Sequence, residues 1–433
     1  MSRGFERLWG LAGVALVACS SQPAPPSVTY HQDVAPLMQE KCVGCHVEGG
    51  IAPFSLESYS QVFEHRQEIR DAVQSRIMPP WPPDPGCAEY TRDLSLSEEQ
   101  ISLLTRWVDA NGPEGEPTET IAGPQTPAGG LSRVDVELTM PVEYTPQKVP
   151  DDYRCFILDW PQGQARYITG FNGKPGQRGE IHHMIAYLIR PEEVAAVQAL
   201  DDAEPGPGYT CFGGPGGDNS APTWLGAWAP GSQGSDYPER TGLEIAPGSK
   251  VVLQVHYNTS YEAPSPDRTS IQFKLDAHVD TPAYVLLWAD PSWVNNHTMD
   301  IPAGQPDVVH RWTYDPTSLL QLVTRGAVPS GVPIALHSAA LHMHTRGTHG
   351  RLAVSRDVNE TACLLDIPRW DFHWQNQYMF QQPKVVRPGD LLTVECHWDN
   401  SAPGAVDTNW GEGTSDEMCL GIFYMTPLPA PPP

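Results

Sequence analysis

His342 and His344 flank Met343 in Leu341-His342-Met343-His344-Thr345-Arg346-Gly347. On a strand, side chains alternate, so two imidazoles two residues apart project from one face and can bind one metal. Met343 then points the other way, into packing. Ile334, Ala335, Leu336, Ala339 and Ala340 precede the pair and suit a buried strand. A lone His-x-His is a weak signal. It gains weight here from His182-His183, from His256 in Leu253-Gln254-Val255-His256-Tyr257, and from Met418 beside Cys419. Three imidazoles alone do not separate copper from zinc. A thioether added to two imidazoles favours copper, because soft sulfur stabilises Cu(I). His182 and His183 are adjacent and should face opposite ways on a regular strand. Both can ligate only at a strand end or bulge, so irregular backbone is expected there.

A second chemistry lies near the N-terminus. Cys42-Val43-Gly44-Cys45-His46 is the attachment pattern for c-type haem, two thiols for thioethers and a histidine for iron. A thioredoxin-like motif would sit in a βαβ pattern, and a zinc knuckle would need a second ligand pair; neither is visible. Met78, in Arg76-Ile77-Met78-Pro79-Pro80-Trp81, is the candidate sixth ligand, and His–Met ligation would raise the potential. Met38 lies too close to the motif to reach the opposite haem face, and His65 reads as solvated.

The elements around this motif read as helices. Val34, Leu37 and Met38 are at helical spacing, and Tyr59 to Ile77 reads as one amphipathic helix with Val62, Phe63, Ile69 and Val73 on one side. Ser97 with Gln100 forms a capping box that opens a third helix, which Gly112 ends. Residues 28–112 are therefore expected to form a small all-α cytochrome c domain. The Pro-, Gly-, Glu- and Thr-rich stretch 113–131 reads as a linker that lets this domain dock on the C-terminal remainder of the chain.

Residues 1–18 read as an export signal. Arg3 and Arg7, with Glu6 between them, precede a short apolar core from Leu8 that ends in Leu16-Val17-Ala18-Cys19, similar to a bacterial lipobox. Lipid on Cys19 would anchor the chain without a spanning helix, with 19–27 as a tether. The expected location is the periplasm or cell surface of a bacterium, anchored to the outer membrane. Disulfides are allowed there. Of nine cysteines, Cys19 would take lipid and Cys42 and Cys45 haem, which leaves an even six: Cys87, Cys155, Cys211, Cys363, Cys396 and Cys419. Count alone does not give their pairing.

A formal charge of −25 argues against nucleic acid and against a basic grip on anionic lipid. From Ser132 the pattern becomes strand-like. Val134, Val136, Leu138 and Met140 alternate with polar residues, as do Ile271, Phe273 and Leu275. Pro247-Gly248 precedes a strand from Lys250 to Tyr257, and Pro388-Gly389 one from Leu391 to Trp398. The expected architecture is the helical domain followed by two all-β, antiparallel sandwich or jelly-roll-like domains, 132–280 and 281–428, and a Pro-rich tail, 429–433.

The ordered series Ile181-His182-His183-Met184, Leu253 to Tyr257, His342-Met343-His344 and Ser415-Asp416-Glu417-Met418-Cys419 resembles the copper type II, ascorbate-dependent monooxygenases, the family of dopamine β-monooxygenase and peptidylglycine α-hydroxylating monooxygenase. The resemblance covers roughly Val134 to Met425. It implies one copper at His182, His183 and His256 that stores and relays an electron. It implies a second at His342, His344 and Met418, where oxygen reacts. It also implies a Cys396–Cys419 disulfide beside Met418, and by similarity Cys155–Cys211; Cys87 and Cys363 remain without an argued partner. The N-terminal cytochrome is not part of the animal enzymes and looks like a bacterial fusion. The remaining histidines, His278, His297, His310, His337, His349, His373 and His397, read as structural or surface.

The peptide-amidating branch grips a carboxylate with an Arg two residues before its His-x-His, and with an Asn and a Tyr two and four residues after its Met ligand. Ala340, Leu420 and Ile422 stand at those positions here and cannot grip one. A more apolar substrate is expected. The reading is thus an exported haem- and copper-dependent monooxygenase with two copper ions and one covalent haem c. It would hydroxylate an activated C–H bond of a small molecule with O2, drawing electrons from an ascorbate-like reductant or a periplasmic redox protein. The alternative is a periplasmic electron-transfer or copper-binding protein without hydroxylase activity.

Overall fold

The computed structural model describes residues 28–429 apart from 49–51, 118–129, 212, 217–221, 231, 260–262, 358–359 and 373. Cys19 and the export signal lie outside the described residues. So does His373.

The helical part opens with a π-turn, Tyr30–Val34, that runs into the helix Ala35–Lys41. Helices Tyr59–Glu64, Arg66–Gln74 and Glu98–Asp109 follow. Val34, Met38, Val62, Val73, Leu104 and Trp107 form their shared core. Capping boxes hold two of the starts, Ser58 with Gln61 and Ser97 with Gln100. The single helix expected from Tyr59 to Ile77 is broken at His65. Its ring stacks flat on Phe54, 3.9 Å between centroids, and its Nδ1 meets Glu68 at 2.6 Å. His65 is therefore half-buried rather than solvated.

Two β-sandwiches follow. In the first, a five-stranded sheet runs Tyr209–Thr210, Asp151–Asp159, Lys250–Asn258, Ile181–Ile189, Thr223–Trp228, every pair antiparallel. It faces a six-stranded sheet built on Ser270–Asp276 and Arg166–Lys174. Alternation supplies the buried faces: Val136 and Leu138 point in from Val136–Thr139, and Ile271 and Phe273 from the neighbouring strand. Val134, read as a strand residue, lies before the strand and is 47% exposed.

The second sandwich pairs two four-stranded sheets. One runs Tyr284–Trp288, Leu420–Pro427, Ile334–His342, Tyr378–Val386; the other runs Val308–Tyr314, Leu391–Trp398, Gly347–Asp357, Glu360–Ile367. Met343 is fully buried in its core, as alternation required. The sandwiches meet closely: Tyr424 of the second packs into the core of the first and bonds Thr241 Oγ1 through its hydroxyl at 2.9 Å.

Three disulfides form, Cys155–Cys211, Cys396–Cys419 and Cys87–Cys363. The last was not legible from sequence. It exists because the stretch before Glu98–Asp109 leaves the helical core and lies on the second sandwich. Tyr90 bridges to Phe380 and donates to Leu364 O at 2.8 Å, with Trp81 packed beside it. Among the described residues, no helix is long and apolar enough to cross a membrane.

Candidate functional site

The strands Ile181–Ile189 and Lys250–Asn258 are neighbours, and their ladder slips between Ile181 and His183. That bulge turns both adjacent histidines toward His256. His182 Nδ1 lies 3.1 Å from His183 Nδ1 and 3.2 Å from His256 Nδ1. Such separations are those of imidazoles sharing one ion about 2.0 Å from each nitrogen. His256 Nε2 faces Asp151 Oδ1 at 2.9 Å. That bond fixes the proton on Nε2 and leaves the Nδ1 lone pair for the ion. Tyr153 stacks on His256 and Phe372 on His182, with centroids 4.0 and 4.1 Å apart. Burial pushes the His183 and His256 pKa values down, although Asp151 pulls His256 partly back. Neutral imidazole is the ligating form.

His342 closes the strand Ile334–His342, and His344 follows it. Here the other ring nitrogen is held. His342 Nδ1 meets Gln375 Oε1 at 2.5 Å, and His344 Nδ1 meets Asp416 O at 3.1 Å. Both Nε2 atoms are left for an ion, the reverse of the first trio. Burial drives His342 down to about 4 and His344 to about 3. Met418 is 6% exposed and neighbours Cys419, whose disulfide to Cys396 anchors it to the strand Leu391–Trp398. Glu417 supports the same turn: its carboxylate accepts from His344 N, Arg346 N and Trp398 Nε1.

The two sets face each other. The His183 and His342 rings are 5.9 Å apart at nearly a right angle, across the boundary of the sandwiches. His183, His342, His344 and Met418 all line one cavity of about 1040 Å³. Ala340, Leu420 and Ile422 line it too, so the positions lacking a carboxylate clamp form an apolar wall. Asp151, Gln375 and Phe372 were not legible in the sequence. Each is brought in by strand register or by a loop, and no motif marks them.

The N-terminal domain description of the copper type II ascorbate-dependent monooxygenases matches residues 136–263, and the C-terminal domain description matches 320–430, together more than half of the chain. The chain belongs to this family. DBH-like monooxygenase protein 1 of Gallus gallus is 27% identical over 299 residues, 64% of this chain and 45% of that protein. Dopamine beta-hydroxylase of Homo sapiens is 25% identical over 307 residues, 67% of this chain and 46% of that protein. The chain thus spans less than half the length of these curated relatives. Among solved structures, the major capsid protein P2 from Bacteriophage PM2 aligns at a TM-score of 0.25 and 7% identity over 68% of this chain and 98% of that one, which carries no argument. The donors fit the family's metal: three converging nitrogens in one set, and in the other two imidazoles and a thioether lining one cavity.

The helical part precedes both matched stretches. Cys42 and Cys45 are the free cysteines among the described residues. Burial lifts the Cys42 thiol to about 12 and also raises Cys45, which Gln233 partly offsets. His46 Nδ1 lies 3.0 Å from Phe54 O, which leaves Nε2 available. Met78 follows the helix Arg66–Gln74, half-buried, with its backbone N–H donating to Ala72 O at 3.2 Å.

Proposed function

We propose that the chain is a copper-dependent monooxygenase that hydroxylates a C–H bond of a small, largely apolar molecule, with its helical domain acting as a c-type cytochrome. The observation that carries the reading is the facing of the two histidine sets across one apolar-walled cavity, 5.9 Å between the His183 and His342 rings.

His182, His183 and His256 would hold one copper through Nδ1, and His342, His344 and Met418 the other. Bound copper supplies one-electron chemistry with O2, in which substrate, O2, two electrons and two protons give the alcohol and water. The protein's part is placement. Asp151 and Gln375 lock opposite ring tautomers. Ala340, Leu420 and Ile422 offer apolar contact and no charge, which selects substrate by shape and hydrophobic burial.

In the helical domain, Cys42 and Cys45 would form thioethers and His46 would ligate iron, with Met78 as sixth ligand. Covalent haem supplies a one-electron reservoir. Two thiols outside any disulfide, in a chain that otherwise pairs its described cysteines, support this. Electrons would come from an ascorbate-like reductant or a periplasmic redox protein. Export and lipidation at Cys19 complete the proposal, and three disulfides suit an oxidising compartment.

The test is a product screen with isotopically labelled O2 and copper-loaded, haem-matured protein. One labelled oxygen atom in an alcohol product supports hydroxylation. Reversible redox cycling with no substrate-dependent O2 uptake would leave an electron-transfer protein instead.

A further inference from the structure

The Cys42–His46 loop does not stand apart from the copper domains. Gln233, in the first sandwich, reaches it with its side-chain amide. Nε2 donates to Cys45 Sγ at 3.0 Å and to Gly44 O at 2.6 Å. Its neighbour Ser232 donates through Oγ to Asn376 Oδ1 at 3.2 Å, crossing to the second sandwich. Asn376 is peptide-linked to Gln375, whose Oε1 holds His342 Nδ1 at 2.5 Å. Gln375 Nε2 also donates to Phe372 O at 2.9 Å, and the Phe372 ring lies on His182. One unbroken series of side chains and two peptide links therefore runs from a haem-attachment sulfur to a ligand of each histidine set.

We propose that Gln233, Ser232, Asn376 and Gln375 form the route by which an electron passes from the Cys42–His46 domain to the copper sites. The inference rests on the assignment of haem to Cys42, Cys45 and His46. Hydrogen bonds in a low-dielectric boundary are stronger than in water, and a chain of them holds its members at fixed separations. In the transfer, ferrous haem is oxidised to ferric and one cupric ion is reduced to cuprous. No bond to carbon forms or breaks, and a one-electron reductant of the ascorbate class re-reduces the haem. Arg369 Nη2 donates to Arg76 O at 3.2 Å, and Cys87–Cys363 closes nearby, so the docked geometry is held from a second side. Gln375 and Gln233 are positioning residues in this scheme, not catalytic ones.

The experiment uses the full-length, haem-matured, Cu(II)-loaded protein without O2. A light-generated reductant reduces the haem in a flash. Its reoxidation is followed in the haem visible bands, and loss of Cu(II) by electron paramagnetic resonance. Ser232→Ala removes the middle link without touching the docking face, and Gln233→Leu removes the donor to Cys45. Each should slow haem reoxidation, with haem and copper contents retained. Ser232→Thr, which keeps the hydroxyl, should restore the rate. Gln233→Leu should also shift the haem potential, because a polar amide beside the haem edge becomes an apolar side chain and the local dielectric falls, while Ser232→Ala should not. Wild-type rates in both Ser232→Ala and Gln233→Leu would overturn the route. A wild type that carries no covalent haem, or whose haem is not reoxidised by copper, would overturn the haem assignment beneath it.

Discussion

His256 Nε2 and Asp151 Oδ1 lie 2.9 Å apart, and the same carboxylate accepts from Thr414 Oγ1 at 2.6 Å and Thr414 N at 3.1 Å. Thr414 sits four residues before Met418. One acid therefore orients His256 of the first trio and ties down the loop that carries Met418.

Asp151→Asn should disturb both sites from one position. The amide keeps the volume and loses the charge that holds the His256 tautomer. Copper affinity at the first trio is expected to fall about 10- to 100-fold, as for lost partners of metal-bound imidazoles. Competition against a calibrated chelator measures it. An unchanged affinity would show that Asp151 is only a packing residue.

His256→Ala is expected to lose one of two bound coppers and leave the other. The three Nδ1 atoms converge, so deleting one leaves two donors where three held the ion. Copper-to-protein stoichiometry and the Cu(II) spectrum decide it. Two coppers with the wild-type spectrum would remove His256 from the set.

Both His-rich motifs were readable because alternation and a forced bulge are local properties. Their partners were not. Asp151 meets His256 through strand register across 105 residues, and Gln375 reaches His342 from a loop. Sandwich strands follow from the alternating patterns at Val136–Thr139 and Ser270–Asp276. The break at His65 does not, because it depends on a ring stacked against Phe54. The Cys87–Cys363 pair escaped for the same reason: the departure of Tyr90 from the helical core is a tertiary preference that no local period records.

Met418→His should separate copper binding from oxygen chemistry. Imidazole in place of thioether favours Cu(II) and changes the geometry. Copper at His342 and His344 should persist, the first trio should be unaffected, and turnover should drop by orders of magnitude. Cys419 must remain paired, so free thiol is titrated before the kinetics are read. Wild-type turnover in a folded, copper-replete variant would place the oxygen site elsewhere.

Cys45→Ala tests the helical domain. With a c-type maturation system the wild type is expected to carry haem that survives acid–acetone extraction, and the variant to lose the two-thioether attachment. The pyridine haemochrome spectrum distinguishes one thioether from two. Unchanged attachment would refute the assignment of Cys42 to His46.

The Cys87–Cys363 bridge joins residues 276 positions apart, Cys87 between the helices Arg66–Gln74 and Glu98–Asp109 and Cys363 in the strand Glu360–Ile367. Two covalent connections therefore link the helical domain to the rest of the chain. Proteolytic nicking of 113–131 would sever one and leave the other, so the fragments should travel together until a reductant is added. The practical result is effective concentration. Even a nicked molecule keeps the helical domain within reach of Gln233 at roughly millimolar local concentration, where a separate domain would have to diffuse in.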